Sequence, residues 1–159
     1  EKVKKIVEEE KIDLKQVSLK ILVPYLEGVS LEEDEKLQNL WAQLFANYID
    51  TSKNLTINVY PNILKQLSTN EVTVLEYIES NGNKLIFKGY NADKEIKCSS
   101  EELANLERLG LIKEKLEIHQ YGGNSDEETG QWKWDFEEMA SGEFYITDFG
   151  FEFLNACKR

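Results

Sequence analysis

The sequence predicts an α+β fold, helical in its first half and strand-containing in its second. Three observations carry that prediction. Residues 30–50 (SLEEDEKLQNLWAQLFANYID) place Leu37, Leu40, Trp41, Leu44, Phe45 and Tyr48 at helical spacing, a stripe wide enough to bury one face. From Lys84 the period changes, and the apolar segments at 85–88 and 95–98 are short enough to be strands. Residues 131–137 then alternate, with Trp132, Trp134 and Phe136 on one face and Lys133 and Asp135 on the other.

Taken in order, residues 1–11 read as an amphipathic helical lead-in with Val3, Ile6 and Val7 on one side. Lys2, Lys4 and Lys5 precede Glu8–Glu10 closely, so i,i+4 pairs make a solvated face the better reading than a membrane patch. Residues 14–29 form the next helix, with Val17, Ile21, Leu22, Tyr25 and Leu26 as its apolar side. Pro24 predicts a kink or break just before it, and Gly28 a stop. The short link to Ser30 makes the two helices an antiparallel hairpin. Ser30 and Glu33 fit a capping box, and Glu32, Glu33, Asp34 and Glu35 crowd the positive end of the helix dipole. Gln38, Gln43 and Asn47 lie off the apolar stripe.

Residues 51–60 read as a loop, and Pro61 as the first residue of a short helix through Leu67. Ser68 and Glu71 form a second capping box, opening a helix with Val72, Val74, Leu75 and Ile78 that Asn81-Gly82 stops. The segments 85–88 and 95–98 are expected to join as a hairpin around Tyr90-Asn91-Ala92-Asp93. Ser99 or Ser100 caps a helix bearing Leu103, Leu106 and Leu109, which Gly110 ends. A strand follows with Leu116 and Ile118 on one face, then a Gly-rich acidic loop at 121–130. After the alternating strand come another strand at 144–147 and a final helix, opened by Thr147 or Asp148, with Phe149, Phe153, Leu154 and Cys157. The expected organisation is a helical region, 1–60, continuous with a second unit, 61–159.

At 159 residues, 41% apolar and 31% charged, the chain is long enough to bury a core and is globular by composition. No run is long and apolar enough to cross a membrane. It begins with Glu1 and carries no signal-peptide pattern, so a fragment of a longer chain is expected. The net charge is −11 and uneven: residues 1–67 carry nine Lys and eleven Asp or Glu, residues 68–159 ten Lys or Arg and nineteen Asp or Glu. Nucleic acid is bound through Lys and Arg neutralising phosphates, so the second half is a poor surface for it. Arg108 and Arg159 are the sole arginines. Cys98 and Cys157 match no zinc or redox spacing, and reduced, partly buried thiols are expected.

Four segments carry a family resemblance: VSLKILVPYLEGVSLEEDEKLQNLWAQLFANYID (17–50), YPNILKQLS (60–68), LERLGLI (106–112) and FYITDFGFEFLNAC (144–157). Together they resemble the abortive infection alpha family, over roughly residues 17–157. The resemblance implies a bacterial cytoplasmic protein associated with defence against bacteriophage, and it carries over no catalytic residue. The second half is also similar to a winged helix, in the helix ending LERLGLI, a β wing, and the Tyr-Ile-Thr-x-x-Gly step from Tyr145 to Gly150. It departs from the DNA-binding pattern twice. Strands and turns occupy 80–99, where a helix belongs, and the candidate recognition helix sets Glu101, Glu102 and Glu107 against Arg108.

Few residues invite chemistry. His119 is the sole histidine, at a strand end near Asp126, Glu127 and Glu128, with no partners held in a catalytic geometry. Gly122, Gly123 and Gly130 suit turns and form no phosphate-binding pattern. The acidic trio reads as a solvated loop before it reads as a weak cation site. Trp132, Trp134 and Phe136 either cover the helices beneath, as core or wing base, or form an exposed partner-binding face.

The expected architecture is an N-terminal helical hairpin packed with a degenerate winged-helix half. The expected function is non-enzymatic and phage-defence-associated, through a protein partner or self-association. No catalytic residue, cofactor, metal or small molecule is indicated, and nucleic acid is not an expected partner. The alternatives are a winged-helix DNA-binding regulator, and an enzyme whose active residues lie outside this sequence.

Overall fold

The computed structural model describes residues 1–88, 91–92, 96–125, 129–130 and 132–159. Among them the helices are α1 (Lys2–Glu10), α2 (Leu19–Leu31), α3 (Glu35–Ile49), α4 (Tyr60–Leu64), α5 (Thr69–Ser80), α6 (Ser100–Arg108) and α7 (Asp148–Ala156). The strands are β1 (Lys84–Lys88), β2 (Asn91–Ala92), β3 (Ile112–Ser125) and β4 (Trp132–Ile146). The fold is mixed helix and sheet, as the change of period predicts. No helix among the described residues is long and apolar enough to cross a membrane.

α3 buries Leu37, Leu40, Trp41, Leu44 and Tyr48, with Phe45 packed at the margin. Its cap, however, is Asp34, whose carboxylate accepts from the Leu37 amide at 3.0 Å. Ser30 does not cap it, because α2 continues to Leu31 and the Ser30 hydroxyl donates to the Glu27 carbonyl within that helix. Nor does Gly28 stop α2. A Cβ on Gly28 would lie 2.4 Å from the Trp41 ring, so this glycine lets α2 and α3 approach. Tyr25 stacks on Phe45 beside that contact, with centroids 4.3 Å apart, and meets Trp41 edge-on. α2 starts at Leu19, later than expected, and runs through Pro24 without a break. Leu14 instead bridges to Asp50.

Asn47, off the apolar stripe, is nonetheless buried, donating to the carbonyls of Ala156 (2.8 Å) and Lys158 (3.0 Å). The C-terminal segment covers that side of α3, which a single-helix reading leaves to solvent. Arg159 completes the junction: its guanidinium donates to Asn47 Oδ1, Asp50 Oδ2 and Glu10 Oε2. On α1, Lys4–Glu8 and Lys5–Glu9 pair across exposed turns.

Local capping sets α5, α6 and α7. Ser68 with Glu71 and Ser99 with Glu102 form complete capping boxes, and the Thr147 hydroxyl accepts from the Gly150 amide at 2.9 Å. Thr147 also ties α7 to the end of α6, its hydroxyl donating to Gly110 O (2.6 Å) and its amide to Leu111 O (3.0 Å). Gly110 adopts φ 73°, a left-handed C-terminal turn suited to glycine. The LERLGLI and Tyr-Ile-Thr-x-x-Gly segments are therefore two sides of one contact.

The antiparallel sheet has the order β2-β1-β4-β3, with Leu85 opposite Phe144 and Ile112 opposite Ile146. Leu85, Leu111, Ile112 and Phe144 bury against Leu75, Ile78, Leu106 and Phe153, and the buried apolar residues form one cluster from Ile21 to Cys157. Tyr60 joins the halves of this core edge-on to Phe153. Cys157 is buried and Cys98 half-buried, both as free thiols.

Three strand expectations need correction. Residues 121–125 belong to β3, because cross-strand pairing reaches Ser125↔Trp132 and a register shift between Tyr121 and Gly123 absorbs the glycines. The separate strands expected at 131–137 and 144–147 are one, β4, with its irregularity opposite Lys115. Ile96–Cys98 carry no regular structure, and the second limb of the β1 hairpin is β2. Tyr90, Asp93, Glu95, Asp126, Glu127, Glu128 and Gln131 lie outside the described residues.

Candidate functional site

The β3–β4 ribbon runs well past the helices that cover the rest of the sheet. Its root is braced by side chains. Between Glu114↔Phe144 and Leu116↔Ala140, β3 spends one residue where β4 spends three. In that irregularity Ser141 Oγ donates to Lys115 O at 2.6 Å and the Gly142 amide to Glu114 Oε1 at 2.8 Å. Gly142 takes φ 72°, and a Cβ there would fall 2.4 Å from the Phe87 carbonyl oxygen. Lys84 pairs with Glu143 at 2.9 Å and the Tyr145 hydroxyl donates to the same carboxylate. The Lys84 hydrogen bond, then that of Tyr145, holds the Glu143 carboxyl down to about 2.

Beyond the root, strand alternation and register sort the residues onto two faces. One face takes Leu116, Ile118, Gln120, Gly123 and Ser125 from β3, opposite Ala140, Glu138, Phe136, Trp134 and Trp132 from β4. The reverse takes Glu117, His119 and Tyr121, opposite Met139, Glu137 and Asp135. The ribbon is therefore amphipathic, with one carboxylate on its apolar face and three on the other.

The apolar face is open. Trp132 is 56% exposed, Trp134 52%, Phe136 64%, Ile118 70% and Leu116 52%. The core and wing-base reading of the three aromatics does not hold, because the helical body ends against Ile112 and Phe144 and leaves these rows overhanging. Trp132 and Trp134 touch each other edge-on, centroids 5.7 Å apart. Isolated exposed apolar side chains are ordinary, but five on one face form the kind of patch that marks a contact site.

Sequence reasoning found the aromatics and, separately, the Leu116–Ile118 pair. It could not join them, since their common face depends on a register with a shift in it.

The remaining candidates stay apart. His119, half exposed, has Nε2 3.6 Å from Glu117 Oε2 on the same strand. On α6, Arg108 is engaged by Asn105 Oδ1 (2.6 Å) and Gln66 Oε1 (3.0 Å), while Glu101 is exposed.

No curated protein and no solved structure matches the chain. The model of the abortive infection alpha family matches residues 1–157, nearly end to end. The match takes in all seven helices and both strands of the ribbon. The chain belongs to the abortive infection alpha family.

Proposed function

We propose that this protein takes part in abortive-infection defence against bacteriophage without chemistry of its own, by presenting the apolar face of the β3–β4 ribbon to another protein. The observation that carries the reading is that Trp132, Trp134 and Phe136 stand half or more exposed on one rigidly rooted strand face. Aromatic side chains supply large contact area and are enriched where proteins meet. Family membership supplies the defence context.

The order α5, β1, α6, β3, β4 with strands ranked β1-β4-β3 supports reading residues 61–159 as a degenerate winged helix, set on a helical region of residues 1–60 in which α2 and α3 form the hairpin. That order also motivates a second reading, a DNA-binding regulator. Charge weighs against it: α6 offers Glu101 and Glu107, and its one arginine is already engaged. Tight duplex-DNA binding that weakens steeply with added salt would reverse the order of the two.

The deciding experiment is a phage challenge of cells carrying the wild type or Trp134→Ser. The variant keeps its circular dichroism spectrum and thermal midpoint, because the residue is half exposed, and loses protection. Full protection by a folded Trp134→Ser protein refutes the reading, as does partner-free nucleotide turnover or nucleic-acid cleavage by the purified wild type.

A further inference from the structure

We propose that the occupant of the ribbon face is a second copy of this chain, packed ribbon against ribbon about a two-fold axis through Phe136. The inference rests on the reading of that face as a protein-contact surface and names the partner.

Size is the first support. A fully buried aromatic contributes about 150–250 Å², so three aromatics and two aliphatics at these exposures leave on the order of 500 Å² of apolar surface open. A standard interface takes about 800 Å² from each side, and the polar edge around Gln120, Ser125 and Glu138 supplies the difference.

Charge placement is the second. The chain carries −11, which opposes self-association, yet Glu138 is the one carboxylate on the contact face. Glu117, Asp135 and Glu137 point to the reverse. Packed sheets sit about 10 Å apart, so those acids would lie on the two outer faces, separated by more than the ~8 Å screening length at physiological salt. A basic partner would have to reach around to the reverse face to find them. A partner whose own surface is apolar and nearly uncharged does not, and this chain has such a surface.

Shape is the third. The face tapers from indoles at its tip to Leu116 and Ala140 at its root, in five rows with Phe136 and Gln120 in the middle. A two-fold axis through the middle row sets the large end of each ribbon on the small end of the other. The Trp132 row then lies over the Leu116–Ala140 row of the second copy, and the Trp134 row over the Ile118–Glu138 row. Glu138 comes to the tryptophan end, where an indole N–H can donate to it. Such a self-complementary patch is what an isologous dimer requires.

Sedimentation velocity across the micromolar range at physiological salt tests this on the chain as it stands. The expected result is a concentration-dependent species of twice 18.5 kDa. Phe136→Glu, which sets two carboxylates on the axis, reduces it to the monomer, and Asp135→Lys on the reverse face leaves it dimeric. Phe136→Cys, under mild oxidation, links the two copies covalently, which keeps the test open if Phe136→Glu folds poorly. A wild type that stays monomeric throughout overturns the inference, as does a dimer that survives Phe136→Glu. If the wild type is monomeric and Trp134→Ser still abolishes protection, self-association fails while the protein-contact reading stands.

Discussion

Replacing Gly150 by Ala tests the contact that joins α6, β3 and α7. An added Cβ would lie 2.0 Å from the Leu111 carbonyl oxygen, 2.8 Å from its carbon and 3.0 Å from its Cα. Comfortable separations begin near ~3.5 Å, so one backbone segment must retreat by about 1.5 Å. Neither gives easily: Leu111 is fully buried, and Gly150 sits in the first turn of α7, donating to Thr147. Overpacking of this kind costs up to about 3 kcal/mol. Helix propensity returns about 1 kcal/mol for Gly→Ala, and disturbing the Thr147 amide bond to Leu111 costs about 1 kcal/mol again. The net expectation is a loss of about 3 kcal/mol. At about 2–4 °C per kcal/mol for a chain of this size, the thermal midpoint falls by roughly 6–12 °C. Urea unfolding followed by circular dichroism reads the same loss as a lower midpoint with an unchanged slope. A Gly150→Ala protein as stable as the wild type would refute the claim that this glycine is there for the close approach.

Two further outcomes follow from the buried junctions. The Asp50 carboxyl is held down to about 2 by the Ser52 hydroxyl and then by the Arg159 guanidinium, so its folded-state value lies below its ordinary 3.8. Its contribution to stability is therefore complete above about pH 4 and is lost as pH falls toward 2. Asp50→Asn should be less stable than wild type at neutral pH, with the gap in urea midpoint closing through that window; a gap that stays constant down to pH 2 contradicts the assignment. Burial pushes the Cys157 thiol well above its ordinary range, and pushes half-buried Cys98 up as well. A thiol reagent at mildly alkaline pH should label at most one cysteine of the folded protein, with the second reacting only at the unfolding rate. Rapid labelling of both would show that α7 does not seal Cys157.

Caps were the most legible feature of this chain. Ser68, Ser99 and Thr147 each cap the helix that the residues predict, because a capping bond spans three residues and needs nothing from elsewhere. Ser30 shows the limit. The run SLEEDE reads as capped by Ser30 with Asp34 in the first turn, yet Asp34 is the cap, and the difference turns on where α2 ends. α2 runs past Gly28 to Leu31 because that glycine lies against Trp41 instead of ending the helix, a contact between helices that local spacing does not contain. The ribbon failed for a related reason. Gly122 and Gly123 look like a loop, yet an antiparallel neighbour pairs with Gly123 and lets the strand run on to Ser125. Asn47 looked peripheral because its hydrogen-bond partners lie more than a hundred positions away, at Ala156 and Lys158.

By itself the sequence determined the α+β class, the apolar face of α3, the cap of α5 and, to within one residue, those of α6 and α7, the alternation of Trp132, Trp134 and Phe136, and the family kinship. All of these rest on short-range periodicity, local hydrogen bonding or residue identity. Only the tertiary structure decided that the aromatic face stands open, that Leu116 and Ile118 extend it, and that Arg159 closes on Asp50 and Glu10. Alternation says which side chains share a face. It carries no information about what covers that face, because burial depends on where the rest of the chain comes to lie.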